Sequence, residues 1–198
     1  MLYPRHLNKD GKPLEIPASA SGAVFGVRPM LFDGKTDKKL ALDGHANLST
    51  FTIDLRLISA ELPKEAQPYS ETSPAMPFIV GSNIVCRMEP SGYLVVLREA
   101  DKDIAKAGVS ALYGSTRITI VSTQGGSSIF GNGVEVARID RPLLLNGPAR
   151  VGAGHLKRFW AGEIDYFDVF DQAKVDRSTF NAQSPRLDPE GRIATLPA

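Results

Sequence analysis

Between Phe51 and Leu57 the side chains change character at every step: Phe51, Ile53, Leu55 and Leu57 are apolar, while Thr52, Asp54 and Arg56 are polar. A period of two places the first set on one face of an extended strand and the second on the other, the pattern of a half-buried strand. Similar short segments recur along the chain at Met30–Phe32, Lys39–Leu42, Pro77–Val80, Ile84–Met88, Tyr93–Arg98, Arg117–Thr123, Ser128–Phe130, Val134–Ile139, Leu143–Leu145 and Glu163–Phe170. Gly, Pro, Asn or Asp punctuate most of the gaps. About a dozen short strands predict an all-β sandwich.

Gly131-Asn132-Gly133 joins two of these segments and suits the positive φ angles of a tight hairpin. Helix is scarce. Glu99–Ala107 has charges at helical spacing but few apolar anchors, and Gln172–Asn181 has room for a turn or two, so any helix here is expected to be peripheral. Segment Glu61–Pro77 holds Pro63, Pro68, Pro74 and Pro77 among polar residues, which predicts a long surface loop.

The 198 residues suit a single domain, and 42% hydrophobic residues suffice for a core without a disulfide or metal. A net charge of +1, with no basic stripe bearing interleaved aromatics, gives no support to nucleic-acid binding. No run is apolar enough for a signal peptide or a membrane span, so the expected location is the cytoplasm, or a virion assembled there. Cys86 stands alone in the apolar run Ile84–Met88 and is expected as a small core residue.

The two ends of the chain resemble each other. Residues 7–18 align without gaps on residues 187–198, with eight of twelve positions identical or alike in kind. Each is a turn followed by a short extended tail. Either composition alone produces the match, or both ends are assembly arms that dock on neighbouring copies or partner proteins. In the second case Leu7, Leu14 and Ile16 would anchor one arm and Leu187, Ile193 and Leu196 the other, and the chain would be a homo-oligomer. The division expected is an N-terminal arm at 1–28, a sandwich at 29–171 and a C-terminal arm at 172–198.

The stretch from Leu143 to Asp171, LLLNGPARVGAGHLKRFWAGEIDYFDVFD, resembles the closing strands of laminin G-like domains. Phe32-Asp33-Gly34, Leu40-Ala41-Leu42 and Phe51-Thr52-Ile53 are similar to that family's opening strands, and Ile118–Thr123 with Ile129–Val136 to its central hairpin. Asn132 replaces the family's common Asp, and Ser115-Thr116-Arg117 stands where a Trp often begins a strand. The resemblance implies a two-sheet antiparallel jelly roll of the concanavalin A-like kind, whose members commonly bind glycans or proteins, some through calcium. A jelly roll starting at its own Met without disulfides also resembles bacteriophage tail, fibre or decoration proteins, whose partners are cell-surface glycans or other virion proteins.

Glu163-Ile164-Asp165-Tyr166-Phe167-Asp168 looks like the Glu-x-Asp-x-x-Glu of retaining β-glucanases, in which paired carboxylates serve as nucleophile and acid/base. Against catalysis, the last acid is the shorter Asp168, and the motif is the ordinary last strand of a laminin G-like domain, with Ile164, Phe167 and Val169 as core. The expectation is therefore a non-enzymatic binding or assembly module, with a glycoside hydrolase using Glu163 and Asp168, or a ligand-free architectural subunit, as alternatives. Asp33, Asp37, Asp43, Asp165 and Asp168 lack the spacing of a dedicated calcium loop. His6, His45 and His155 lack the paired spacing of a zinc site, so no cofactor is required, although calcium stays open. For ligand contact the candidates are Tyr69, Tyr113, Arg158 and Trp160, since aromatics stack on sugar faces and arginine pairs with sugar carboxylates. Trp160 also suits the core.

Overall fold

A computed structural model describes residues 29–42, 47–58, 75–111, 115–181 and 184–196. Thirteen strands run through these residues: β1 Met30–Asp33, β2 Lys38–Leu40, β3 Phe51–Ile58, β4 Phe78–Val80, β5 Ile84–Glu89, β6 Gly92–Glu99, β7 Lys102–Ser110, β8 Thr116–Thr123, β9 Gly126–Gly131, β10 Val134–Ile139, β11 Ala149–Val151, β12 Ala161–Phe170 and β13 Arg192–Leu196. They form two antiparallel sheets. One has the order β1-β12-β3-β8-β9-β10, with β13 also paired to β12, and the other the order β2-β11-β4-β5-β6-β7. This is the jelly-roll sandwich expected from the sequence.

The core lies between the sheets. Phe51, Ile53, Leu55 and Leu57 of β3 point inward with Ile118, Ile120, Phe167 and Val169, against Phe78, Val80, Ile84, Cys86, Val95 and Leu97 of the other sheet. Phe78 meets Phe167 edge-on, 5.5 Å between ring centroids. The Cys86 thiol is enclosed, and burial pushes its pKa up, so it behaves as an apolar filler. At the β9–β10 hairpin Asn132 and Gly133 take φ values of 50° and 88°, the tight turn that the sequence predicted. Gly133 is also required sterically, because a Cβ there would lie 3.1 Å from Asn181 Cα.

Glu99–Ala107 and Leu143–Leu145 differ from expectation, while Gln172–Asn181 matches it. Glu99–Ala107 is no helix: it turns at Ala100-Asp101 and continues as β7, whose Ala107 and Val109 face the core. Gln172–Asn181 contains only a 3-10 turn, Arg177–Phe180. Leu143–Leu145 forms one isolated bridge, Leu48 to Leu145, in place of a strand.

The polar face of β3 is not open to water. The described part of segment 172–198, expected as a docking arm, folds onto its own sandwich. Phe180 and Leu187 pack with Val121, Phe130 and Phe170 on the outer face of the first sheet. Ile193 and Leu196 then return in β13 and add to the core, with Phe167 opposite Leu196. Apolar Leu187 and Leu196 thus lose their contact with water inside this chain. Leu7, Leu14 and Ile16 lie outside the described residues.

Beneath this cover, Arg117 Nε and Nη2 donate to Asp54 Oδ1 and Oδ2 at 2.9 and 2.7 Å, and both side chains are fully buried. Thr119 Oγ1 donates to the same carboxylate at 2.8 Å. Arg117 Nη1 turns to the covering segment, where the carbonyls of Thr179, Asn181, Ser184 and Pro185 accept. Burial opposes the Arg117 charge, but the hydrogen bond and charge of Asp54 outweigh it and raise its pKa. Removing one partner of such a pair leaves a buried charge uncompensated. Arg117→Met is therefore expected to lower stability by about 3–5 kcal/mol, read by urea unfolding, whereas Arg138→Met on the surface should change it by less than about 0.5 kcal/mol.

Candidate functional site

The sequence placed potential ligand contacts at four residues, and the structure does not bring the described ones together as a surface. Trp160 is 1% exposed, with its ring 6.0 Å from that of Phe32, so it is a core residue and not a sugar platform. Arg158 is half-buried in the turn before β12. Tyr69 and Tyr113 lie outside the described residues.

The carboxylate motif on β12 is likewise closed as a catalytic pair. A bulge between Ile164 and Tyr166 shifts the register against β3, so Tyr166 and Asp168 share the outer face with Asp54. Asp168 is fully buried, and Arg186 Nε and Nη2 both donate to it at 2.6 Å, with Arg192 3.4 Å away. The bond to Asp168 raises the Arg186 pKa despite burial. Both carboxylate oxygens are held by one guanidinium under the covering segment, which leaves no approach for a glycosidic bond. Three guanidiniums, those of Arg56, Arg117 and Arg186, face the Tyr166 ring at 5.2, 5.8 and 5.2 Å. Burial, reinforced by Asp54, pushes the Tyr166 hydroxyl pKa up, so this phenol stays neutral.

The acids considered for calcium are also engaged elsewhere. Asp33 Oδ1 accepts from the amides of Lys35 and Thr36 and from the Thr36 hydroxyl, and those bonds, led by that of Lys35, hold its pKa below the usual value. Asp37 pairs with Arg150 and Asp165 with Arg56. Asp43 lies outside the described residues. Among the described residues no three His, Cys, Asp or Glu side chains gather as a metal site.

A different site emerges at one end of the sandwich. A cleft there is lined by Asn47, Ser82 and Asn83 of the β4–β5 turn, Arg98 to Asp101 of the β6–β7 turn, and Leu143, Leu144 and Asn146 before β11. The strand pairings explain why they meet. β4 leads into its turn beside the start of β11, and β5 and β6 pair with Ile84 opposite Leu97, so three connections converge on one edge. A clasp fixes the first two: Asn146 Oδ1 accepts from the Ser82 amide at 3.0 Å, and Asn146 Nδ2 donates to the Ser82 hydroxyl at 3.0 Å. The Arg98 amide donates to the Asn83 carbonyl at 2.7 Å and ties in the third.

Three features set this cleft apart. Asn83 is 6% exposed, and its Nδ2 donates to the Leu144 carbonyl while its Oδ1 is buried with no partner. An unpartnered buried acceptor costs about 1–3 kcal/mol and calls for an explanation. Second, Asn47, Ala100 and Asp101 have φ values of 64°, 46° and 63°, so three of the five non-glycine residues with positive φ among the described residues line one cleft. Ala100 and Asp101 take theirs as the two central residues of the β6–β7 hairpin. Third, Leu144 is 49% exposed, because the alternation that buries Leu143 and Leu145 turns it outward beside polar groups.

The charges of the cleft are largely fixed. Arg98 Nε donates to Asp103 at 3.1 Å and Nη2 to the Asp101 carbonyl at 2.9 Å. Asp103 also holds Lys106, and the bond from Lys106, helped by the charges of Lys106 and Arg98, keeps the Asp103 pKa below the usual value. This pairing is present at neutral pH and is lost only as pH falls through that lowered value. Glu99 pairs with Arg141. Nothing in the types of Asn83, Ser82, Asn146 or Leu144 distinguished them from ordinary loop residues in the sequence. A second hollow, on the outer face of the first sheet, has an apolar floor of Val121, Phe130 and Phe180 and basic walls from Arg138, Lys174 and Arg177.

No family model matches the chain, and no curated protein matches it in sequence. Solved structures do match in fold. A protein from Bacteroides ovatus described as carbohydrate-binding superposes with a TM-score of 0.58 at 12% identity, covering 83% of this chain and 49% of its own. The CBM40 domain of the Ruminococcus gnavus IT-sialidase, bound to α2,3-sialyllactose, gives 0.56 at 13% identity over 81% of this chain and 100% of the domain. Domain 4 of an extracellular arabinanase from Geobacillus stearothermophilus, bound to arabinotriose, gives 0.55 at 14% identity over 76% of this chain and 73% of the domain. The chain spans about half the length of the Bacteroides ovatus protein. At these identities the likeness establishes a concanavalin-like jelly-roll fold.

The clasp offers a direct structural check. In a double-mutant cycle of Ser82→Ala and Asn146→Ala, urea unfolding should give a coupling of about 0.5–1.5 kcal/mol.

Proposed function

We propose that this chain is a non-enzymatic glycan-binding module of laminin G-like type, and that the cleft between the β4–β5 turn, the β6–β7 turn and Leu144–Asn146 is its recognition surface. The observation that carries the reading is the exposed apolar Leu144 among the polar residues of a cleft whose backbone is already fixed by the Ser82–Asn146 clasp. Leu144 supplies an apolar contact for the C–H face of a ring, and the polar side chains beside it suit sugar hydroxyls. The fold supports the reading, because jelly-roll domains that bind saccharides share it.

Absence of catalysis belongs to the same proposal. It rests on Asp168 being buried and bound by Arg186, which removes one member of the β12 carboxylate pair from reach. A setting on a virion, with further copies of the chain and cell-surface glycans as partners, extends the proposal and rests on the sequence alone. Among the described residues no helix is long and apolar enough to cross a membrane.

The test is binding of the purified chain to a glycan array and to intact bacterial cells. Asn83→Ala, which removes the hydrogen bond that holds the Leu144 carbonyl, should weaken binding to the best array ligand about tenfold. Leu144→Glu, on an exposed side chain that the fold does not need, should weaken it at least as much with an unchanged melting temperature. Release of reducing sugar from any bound polysaccharide would contradict the non-enzymatic part, and binding untouched by both substitutions would move recognition to another surface.

A further inference from the structure

We infer that residues 7–18 can replace residues 187–198 of the same chain along the edge of β12, so that the two chain ends are alternative occupants of one slot. The match between the ends becomes specific once each position of residues 187–196 has a role. Leu187 packs with Val121, Phe130, Phe170 and Phe180, and Leu7 stands at its place in the alignment. Asp188 Oδ1 accepts from the Glu190 amide at 2.9 Å, and Asn8 keeps that acceptor two residues before Asp10. The Arg192 guanidinium lies 5.8 Å from the Phe170 ring centroid and 3.4 Å from Asp168, and Lys12 keeps the charge. Thr195 Oγ1 accepts from Arg186, and Glu15 offers an acceptor at the same position. Leu196 stands opposite Phe167, and Ile16 matches it.

Two positions separate this match from a likeness of composition. Gly191 has a φ of 70°, and a Cβ there would meet the Gln172 amide and lie 2.7 Å from Asp171 Oδ1, so the turn into β13 demands glycine. Gly11 meets that demand. Ile193 is skipped in the ladder, since Ala194 pairs with Val169 and Arg192 with Phe170, and a bulge is where a strand tolerates proline. Pro13 falls at that bulge.

The exchange leaves the buried charges satisfied. The carbonyls that hold Arg117 belong to residues 179–185, and Arg186 holds Asp168, all upstream of the replaced stretch. Leu7, Leu14 and Ile16 can cover the surface that Leu187, Ile193 and Leu196 cover. The reach suffices, because β1 already lies on the edge of β12 that β13 uses, with Met30 opposite Ile164, and residues 17–29 extend to about 40 Å. A segment of the same chain acts at an effective concentration on the order of millimolar, which a dilute second copy does not match.

The test uses the full chain and two substitutions, Gly11→Val and Gly191→Val, each of which bars one end from the slot. A nitroxide is attached at Lys9→Cys, the counterpart of exposed Pro189, and the buried Cys86 does not compete for the label. With Gly191→Val the chain should stay folded, and the nitroxide should erase the amide signals of Asp171 and Gln172 in nuclear magnetic resonance spectra. Gly11→Val alone should leave the urea midpoint unchanged. Combined with Gly191→Val it should end the broadening and lower the midpoint by more than the two single effects together, and failure of the double variant alone to fold gives the same answer.

Unfolding by Gly191→Val alone, no broadening in that variant, broadening that survives Gly11→Val, or additive effects on the midpoint would each overturn the inference. So would broadening passed from nitroxide-bearing chains to separate isotope-labelled Gly191→Val chains, because the occupant would then come from a second copy.

Discussion

The charge of Arg117 is sealed inside the protein, and much of the architecture follows from keeping it satisfied. A guanidinium removed from water costs several kcal/mol unless a counter-charge and further acceptors replace its hydration. Asp54 on the neighbouring strand supplies the counter-charge, and carbonyls of residues 179–185 supply the remaining acceptors. The outer face of the β3–β8 pair is therefore stable only when the segment after β12 lies across it. That segment, once in place, brings Arg186 to Asp168, Phe180 to Phe130, and β13 to the edge of β12.

Closing this face determines where recognition can occur. The outer side of the central strands of the other sheet is also occupied by buried apolar groups, Ile79, Val85 and Val96. Both broad faces are engaged over their centres, the first leaving a basic hollow, and one end of the sandwich holds the polar cleft. At one end the Ser82–Asn146 clasp and the positive-φ turn at Ala100-Asp101 fix a cleft before any ligand arrives. Preorganisation of that sort lowers the ordering cost of binding, which matters for sugars because their hydroxyls gain little net energy on leaving water.

The strands with clean alternation or continuous apolar runs, such as Phe51–Leu57, Ile84–Met88 and Val134–Ile139, were legible because period and turn residues agreed. The β6–β7 hairpin was not. Its turn uses Ala100-Asp101 where glycine or asparagine would have announced it, and β7 presents charges at Lys102, Asp103 and Lys106 with only small or scattered apolar groups, which mimics a helix surface. The second face of β3 was misjudged for a different reason: Thr52 and Asp54 look solvent-facing, and their burial depends on a segment more than 100 residues away in the chain. The match between the chain ends suggested an arm for neighbours at residues 187–198, whereas residues 187–196 pack on their own sandwich. The cleft left no trace in the sequence, since an unpartnered Asn83 oxygen is a property of three converging loops and not of any one segment.

The account stands on the location of the ligand, and amide chemical-shift mapping by nuclear magnetic resonance reports it most directly. On titration with the tightest-binding oligosaccharide, the largest shifts are expected at Ser82, Asn83, Arg98 to Asp101 and Leu144 to Asn146, with Val121, Phe130, Lys174 and Arg177 undisturbed. Shifts centred on the basic hollow of the covered face, or at the opposite end around Arg158, would contradict it.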